Sequence, residues 1–165
     1  MSQASGFEKW YMRGVVTFFS LVLIVPAIIF IPEQLSEPEV GDCAEPVAES
    51  EGGFDMDETN CTAREAAYRL VRLDRKRGCP EGDYLARSER AAGKSGGRKY
   101  FCFVLNAAEG DCFKRGDAFH ERVACGTSGA QRVFKVARAH DRALCGDREA
   151  RVYPDPAMTV CLEKA

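Results

Sequence analysis

The stretch "FCFVLNAAEGDCF", residues 101–113, joins an apolar run around Cys102 to the triplet Gly110-Asp111-Cys112. The same triplet stands at residues 41–43, within "VGDCAEP". A short apolar run bounded by turn residues is typical of a buried strand. The last strand of one unit therefore leads directly into the opening of a related unit, and residues 41–108 and 109–165 are predicted to be two copies of one cysteine-rich module.

The eight cysteines support a duplication, since they form two sets of four in the same order. A strand-like run with aromatic and basic residues follows the second cysteine of each set, "AAYRLVRL" at 66–73 and "QRVFKVAR" at 131–138. A polar stretch with a tyrosine, Tyr84 or Tyr153, follows the third cysteine, and an apolar run surrounds the fourth. The equivalent cysteines are then Cys43 and Cys112, Cys61 and Cys125, Cys79 and Cys145, and Cys102 and Cys161.

This order of features predicts a mainly β ectodomain of two tandem, small, antiparallel modules with four strands each, and an α+β arrangement stays open. Each copy has only about 60 residues, a size at which a hydrophobic core is marginal without further support. Two disulfides per copy, at roughly 2–4 kcal/mol each, would supply that support.

The disulfide pairing is less determined, because four cysteines permit three connectivities. In the second copy, "CFKRGDAFHERVAC" at 112–125 is typical of a hairpin that turns near Gly116-Asp117 and brings Cys112 opposite Cys125. The same logic pairs Cys145 with Cys161. In the first copy it pairs Cys43 with Cys61 and Cys79 with Cys102, whereas a link from Cys43 to Cys79 or Cys102 stays open.

The N-terminal region predicts a membrane anchor. Residues 14–31 carry no charged side chain and, at about 1.5 Å per residue, reach nearly across a bilayer core of about 30 Å. Lys9 and Arg13 precede this run and no basic residue follows until Arg64, so residues 1–13 are predicted to be cytoplasmic, residues 14–32 a single-pass signal anchor in the cell membrane, and the C-terminal part extracytoplasmic. A cleaved secretion signal is the alternative, but no small-x-small site follows the run.

Residues 33–40 are predicted to be an acidic stalk, since the chain from 32 to 58 has ten acidic residues and no basic one. A calcium site at Asp55, Asp57 and Glu58 is a weaker interpretation, because the ligand order and central glycine of an EF-hand loop are missing. The block from 64 to 99 has eleven basic residues against five acidic ones and either meets anionic lipid headgroups or wall polymers, or balances the acidic segment before it.

No enzyme signature emerges, and we predict no catalytic, cofactor-binding or metal-binding residues. The glycine-containing stretch 91–97 lacks the spacing of a phosphate-binding loop, and no Cys-x-x-Cys is present. His120 and His140, the only histidines, are interpreted as surface residues without a catalytic partner. A net charge of −2 gives no sign of nucleic-acid binding.

The order "VGDC", "AAYRLV", "FCFVLNAAEGDCF", "VACG" and "YPDPAMTVCLE" resembles the LppU-like exported envelope proteins of high-GC Gram-positive bacteria, and the "GDC" opening is similar to septum-formation-type extracellular modules. The resemblance covers residues 40–165 and implies an exported, cysteine-rich envelope protein. It transfers no catalytic residue. Unlike lipoprotein members, this chain has no lipidation cysteine beside its apolar run, so anchoring by a helix is expected.

We therefore expect a non-enzymatic, membrane-anchored envelope protein that presents a disulfide-stabilised repeat for binding or scaffolding. Its expected partners are the membrane, other membrane or envelope proteins, or cell-wall polymer. An exported thiol-disulfide or hydrolytic enzyme with an unfamiliar site is the alternative.

Overall fold

The computed structural model describes residues 37–49, 53–90 and 97–165. The predicted cytoplasmic segment 1–13, the signal anchor 14–32 and residues 33–36 of the stalk lie outside the described residues. Within the described ranges, no helix is long and apolar enough to cross a membrane. Residues from Pro38 to Ala165 form one compact unit.

The first module forms a five-stranded antiparallel sheet. Its strands are β1 (Cys43–Ala48), β2 (Phe54–Thr59), β3 (Tyr68–Asp74), β4 (Leu85–Arg90) and β5 (Arg98–Leu105). They lie in the order β2-β1-β3-β5-β4, so that β5, the most apolar strand, is flanked on both sides. Its last five residues are all buried, as a central strand requires.

The second module repeats this sheet. Its strands are β6 (Cys112–Arg115), β7 (His120–Arg122), β8 (Ala130–Ala137), β9 (Glu149–Pro154) and β10 (Ala157–Lys164), and a short 3-10 helix, Arg142–Cys145, precedes β9. The order β7-β6-β8-β10-β9 is that of the first sheet, strand for strand. Both sheets also contain a register shift where the third strand pairs with the fifth. The mainly β prediction is confirmed, and the described part of the chain contains two similar β modules.

Each module has one strand more than the sequence predicts. The additional strands are β4, "LARSER", and β9, "EARVYP", and each is paired only with the fifth strand of its module. The first of these is largely exposed and strongly charged, so the alternation that indicates a half-buried strand is absent from its sequence. Strand β4 therefore forms because it pairs with β5, and not because its own hydrophobic pattern indicates a strand.

The Gly-Asp-Cys triplet closes a turn at the start of each module. In the second module, the Asp111 carboxylate accepts a hydrogen bond of 2.7 Å from the backbone N–H of Ala108. Gly110 has a φ of 94° and donates its N–H to the Val133 carbonyl at 2.8 Å. Glycine adopts this conformation without the steric cost that a Cβ brings. The first module repeats both contacts with the same lengths, from Glu39 to Asp42 and from Gly41 to Leu70.

All eight cysteines form disulfides, as predicted. The pairs are Cys43–Cys61, Cys79–Cys102, Cys112–Cys125 and Cys145–Cys161, the same as those expected from the hairpin logic. The expected turn of the second-module hairpin also forms, with Gly116 N–H bound to the Phe119 carbonyl at 2.8 Å. In both modules one disulfide joins the first strand to the loop after the second strand, and the other joins the fifth strand to the segment after the third.

The two modules share one hydrophobic core. A single cluster of buried side chains contains residues from both sheets, among them Tyr68, Leu70, Phe101, Phe103 and Leu105 of the first and Phe113, Val133, Tyr153, Val160 and Leu162 of the second. The inner face of each sheet is thus covered by the other module.

The triplet turn yields a prediction on stability. The substitution Gly110→Ala would place a Cβ in open space but at a φ of 94°, so we expect a loss of about 1–2 kcal/mol in the free energy of unfolding from backbone strain alone. Gly126→Ala, also in open space but without a positive φ, is the matched control and should change stability by less than about 0.5 kcal/mol. Denaturant unfolding measures both, and equal effects would contradict the assigned role of Gly110.

Candidate functional site at the junction of the two modules

Two tyrosine hydroxyls reach across the junction between the modules. The backbone N–H of His120 in the second module donates to the Tyr68 hydroxyl of the first at 2.8 Å. In the opposite direction, the N–H of Leu105 donates to the Tyr153 hydroxyl at 3.3 Å. Because each hydroxyl accepts a backbone hydrogen bond from the other module, both rings are fixed at the centre of the junction.

The loop before β4 covers the outer edge of β9. Asp83 donates its backbone N–H to the Val152 carbonyl at 3.0 Å and accepts the Val152 N–H with its carboxylate at 2.7 Å. A Cβ at Gly82 would lie 2.9 Å from Pro154 and 3.1 Å from the Val152 carbonyl. The absence of a side chain at Gly82 therefore permits the close approach of this loop to the strand.

Tyr84 extends the same contact. Its ring lies edge-on to that of Tyr153, with 5.3 Å between ring centroids. Its hydroxyl donates to the Asp155 carbonyl at 2.6 Å and accepts the Asp155 N–H at 2.9 Å. The order of features in the sequence suggests that Tyr84 and Tyr153 are equivalent, and the strand registers show that this is wrong. Ala86 pairs with Cys102 and Ala150 pairs with the equivalent Cys161, so Ala86 and Ala150 are the equivalent positions of the two modules.

A cavity of about 130 Å³ lies between these contacts. The first module contributes Tyr68, Asp83 and Leu105 to its wall, and the second contributes the β6–β7 hairpin turn together with residues of β9. The wall is thus built from both copies.

Arg151 is the central charged group of the cavity. Its guanidinium donates to Glu149 at 2.6 Å and contacts His120 Nε2 at 3.3 Å, and the Asp83 carboxylate lies at 3.8 Å. Its Nε is buried and has no hydrogen-bond partner among the described residues. Since a guanidinium only donates, the contact with His120 requires a neutral imidazole that accepts at Nε2 and carries its proton on Nδ1.

Burial and the neighbouring charges set the protonation states of the cavity. Burial, with help from Arg151, lowers the pKa of His120 to about 4, although Glu149 acts in the opposite direction. Burial raises the pKa of Tyr68 to about 12 and also raises that of Tyr153. For Glu149, burial opposes ionisation, but the bonds from Gln131 and Arg151 outweigh it and lower its pKa. At neutral pH Tyr68 and Tyr153 are therefore phenols, His120 is a neutral imidazole, and Glu149 is a carboxylate beside the Arg151 guanidinium.

The interpretation of His120 as a surface residue is wrong, because only 7% of it is exposed and it lines the cavity, whereas His140 is exposed. A histidine within a short polar hairpin gives no local signal of burial, since the covering module is distant in sequence. Asp55, one residue of the weak calcium interpretation, pairs with Arg87, and no group of three or more metal-ligating residues occurs among the described residues. Residues 91–96 of the glycine-containing stretch lie outside the described residues.

Arg151, Asp83 and the two central tyrosines were not identified from the sequence as site residues. The available signal was the alternation of "EARVY", which places Glu149, Arg151 and Tyr153 on one face of a strand. Because Glu149 and Arg151 share this face with an aromatic residue, Tyr153, the pattern indicates that charged groups lie beside the core.

No family model, curated protein or solved structure matches this chain. The resemblance to the LppU-like envelope proteins stays a prediction, and function is inferred from the geometry of the junction.

The buried histidine predicts a pH dependence of stability. In the unfolded chain His120 takes up a proton near pH 6.5, and in the folded protein only near pH 4. The unfolded state therefore binds more protons between these values, so the contribution of His120 is complete above pH 6.5 and falls by about 3 kcal/mol as the pH decreases to 4. His120→Gln should remove this part of the slope in denaturant unfolding between about pH 7 and pH 4.5. The exposed His140, changed to Gln, is the control, and an unchanged slope in the His120 variant would refute the assignment.

The Asp83 contacts predict that the junction stabilises the whole unit. Asp83→Ala leaves Val152 N–H without its acceptor and removes the carboxylate near Arg142 and Arg151, at 3.2 and 3.8 Å. We expect a loss of about 1–3 kcal/mol with a single unfolding transition retained. Asp147→Ala, at an exposed position in the second module, should have little effect. Two separate transitions in the unsubstituted protein would contradict the shared core.

Proposed function

We propose that this chain is a non-enzymatic, membrane-anchored cell-envelope protein whose duplicated, disulfide-stabilised ectodomain serves as a binding or scaffolding surface. The cell membrane holds it through the segment 14–32, and the ectodomain faces the extracytoplasmic side. Its partners are other membrane or envelope proteins or cell-wall polymer.

The observation that carries this proposal is the junction itself. Two similar modules join in a single compact unit, and residues of both line a polar, partly open cavity. Binding sites in proteins are commonly concave, with a few convergent polar groups at an interface of this kind. Four disulfides stiffen the walls, which reduces the entropy lost when a ligand binds.

The cysteines support export. All eight are paired, and each pair has at least one buried member, so the disulfides are part of the packed interior. Structural disulfides of this density form and persist in oxidising compartments. The apolar run at 14–31, with Lys9 and Arg13 before it and no basic residue after it until Arg64, would supply the route and the anchor.

An exported enzyme is the second candidate. A thiol-disulfide exchanger alternates between a dithiol and a disulfide, usually within a Cys-x-x-Cys motif, and this chain contains no such motif. A hydrolase of the serine or cysteine type needs a nucleophile beside a base. His120 is the base at hand, but the described residues around the cavity include no serine, threonine or cysteine, and its Nε2 already faces Arg151.

The proposal is tested by thiol accessibility and topology together. Protein isolated from the native envelope with a thiol-blocking reagent present should contain no free thiol before reduction and eight after it. A membrane-impermeant amine reagent applied to intact cells should label the ectodomain, while a cytoplasmic protein serves as the unlabelled control. A reactive low-pKa thiol would favour the redox enzyme, and a protein protected from the reagent in intact cells would overturn the proposed location.

A further inference from the structure

We propose that one end of the first module binds the anionic lipid headgroups of the membrane in which the chain is anchored. This basic end consists of Arg75, Lys76 and Arg77 in the segment after β3, Arg90 at the end of β4 and Arg98 at the start of β5. All five residues are exposed. The inference rests on the proposed membrane anchor and specifies which surface of the ectodomain faces the bilayer.

Strand pairing brings the five basic residues to the same end of the sheet. Strands β3 and β4 flank β5, and Asp74 of β3 pairs with Tyr100, while Arg90 of β4 pairs with Arg98. The segment after Asp74 stays beside this end, since a Cβ at Gly78 would lie 3.7 Å from the Tyr100 ring. Cations from three separate stretches of sequence therefore form one surface.

The positive charge of this surface is not neutralised by its neighbours. Among the described residues, no carboxylate forms an ion pair with any of the five side chains, and the two acidic residues of the same end, Asp74 and Glu89, pair with other arginines. The entering chain adds Glu37 and Glu39, which are fewer than the five cations. An exposed surface with an excess of positive charge attracts anionic groups through charge rather than through shape.

The second module shows that the fold itself does not require these cations. The strand registers identify the equivalent positions, which are Arg138, Ala139, His140, Pro154 and Ala157. Only the first of them carries a positive charge at neutral pH. Because the two sheets have the same strand order, the cations are a property of the first module rather than of the shared fold.

The first module is also the one that follows the predicted anchor. The compact unit begins at Pro38, which lines a small groove together with Glu89, the neighbour of Arg90. The chain therefore enters the ectodomain beside the basic end. From the end of the predicted anchor, at residue 32, to Pro38 the chain spans at most about 20 Å. A tether of this length allows the basic end to reach the headgroups, whose potential decays over about 8 Å.

Lys76 reports this contact in the full-length chain. The chain is reconstituted into lipid nanodiscs of phosphatidylcholine alone, or of phosphatidylcholine mixed with phosphatidylglycerol, and treated with a water-soluble amine reagent. Peptide mass spectrometry gives the labelling rates of Lys76 and of Lys164, an exposed lysine of the second module. We expect phosphatidylglycerol to slow the labelling of Lys76 by about fivefold and to leave Lys164 unchanged. The protection should disappear at about 1 M salt, where the Debye length is short.

Two double variants assign the protection to the basic end. Arg75→Gln with Arg77→Gln keeps the reporter and removes its two neighbouring cations, so the protection of Lys76 should fall below about twofold. Lys114→Gln with Arg138→Gln removes two exposed cations of the second module and changes the net charge by the same amount. This control should retain the full protection of Lys76.

The inference is overturned when Lys76 is labelled at the same rate in both lipids, when Lys164 is protected as strongly, or when the control variant loses the protection. A soluble glycerol-phosphate polymer, added to phosphatidylcholine discs, represents a wall polymer, and stronger protection of Lys76 by the polymer than by phosphatidylglycerol would also overturn it. A chain that inserts into neither disc contradicts the proposed anchor, whereas a chain that inserts without lipid-dependent protection contradicts only this inference.

Discussion

The contact between the apolar faces of the two sheets is the interaction on which the rest of the described structure depends. A copy of about 60 residues has only a marginal hydrophobic core by itself. Here each sheet supplies the cover for the other, and one cluster contains buried residues of both sheets, while a second, smaller cluster lies within the second module. The disulfides act at the periphery of the shared cluster, where they tie loops and outer segments to strands that the shared core already holds.

The two copies differ where they meet, although their sheets are the same. Tyr68 pairs with Ala44 in the first sheet, and Gln131 pairs with Phe113 in the second. Tyr68 and Gln131 are therefore equivalent positions of the two modules. By the same reasoning Tyr153 corresponds to Glu89. Residues that the two modules share, such as the triplets, build each module. Residues that differ between the modules build the junction, which is therefore asymmetric although the two sheets are alike.

Much of the architecture follows from local sequence signals. Each triplet turn requires a glycine with positive φ, followed by an aspartate whose carboxylate accepts the N–H of the residue three positions earlier. The two residue types stand next to each other in the sequence. The hairpin between Cys112 and Cys125 is likewise local. Strand β4 was missed because its exposed, charged residues carry no alternation, and its place is set by pairing with β5. The junction was missed because its contacts join positions far apart in the chain, such as Tyr84 and Asp155. No periodicity encodes such a contact.

The short connection between the modules has a consequence for how the fold assembles. Two unconnected chains with these apolar faces would cover each other only by association, and their folding would vary with protein concentration. Residues 106–111 replace that association by a tether, which holds the partner face at an effective concentration of about millimolar or above. Because the two faces belong to separate stretches of one chain, a substitution in one module leaves the other unchanged, which a symmetric dimer of identical chains does not allow.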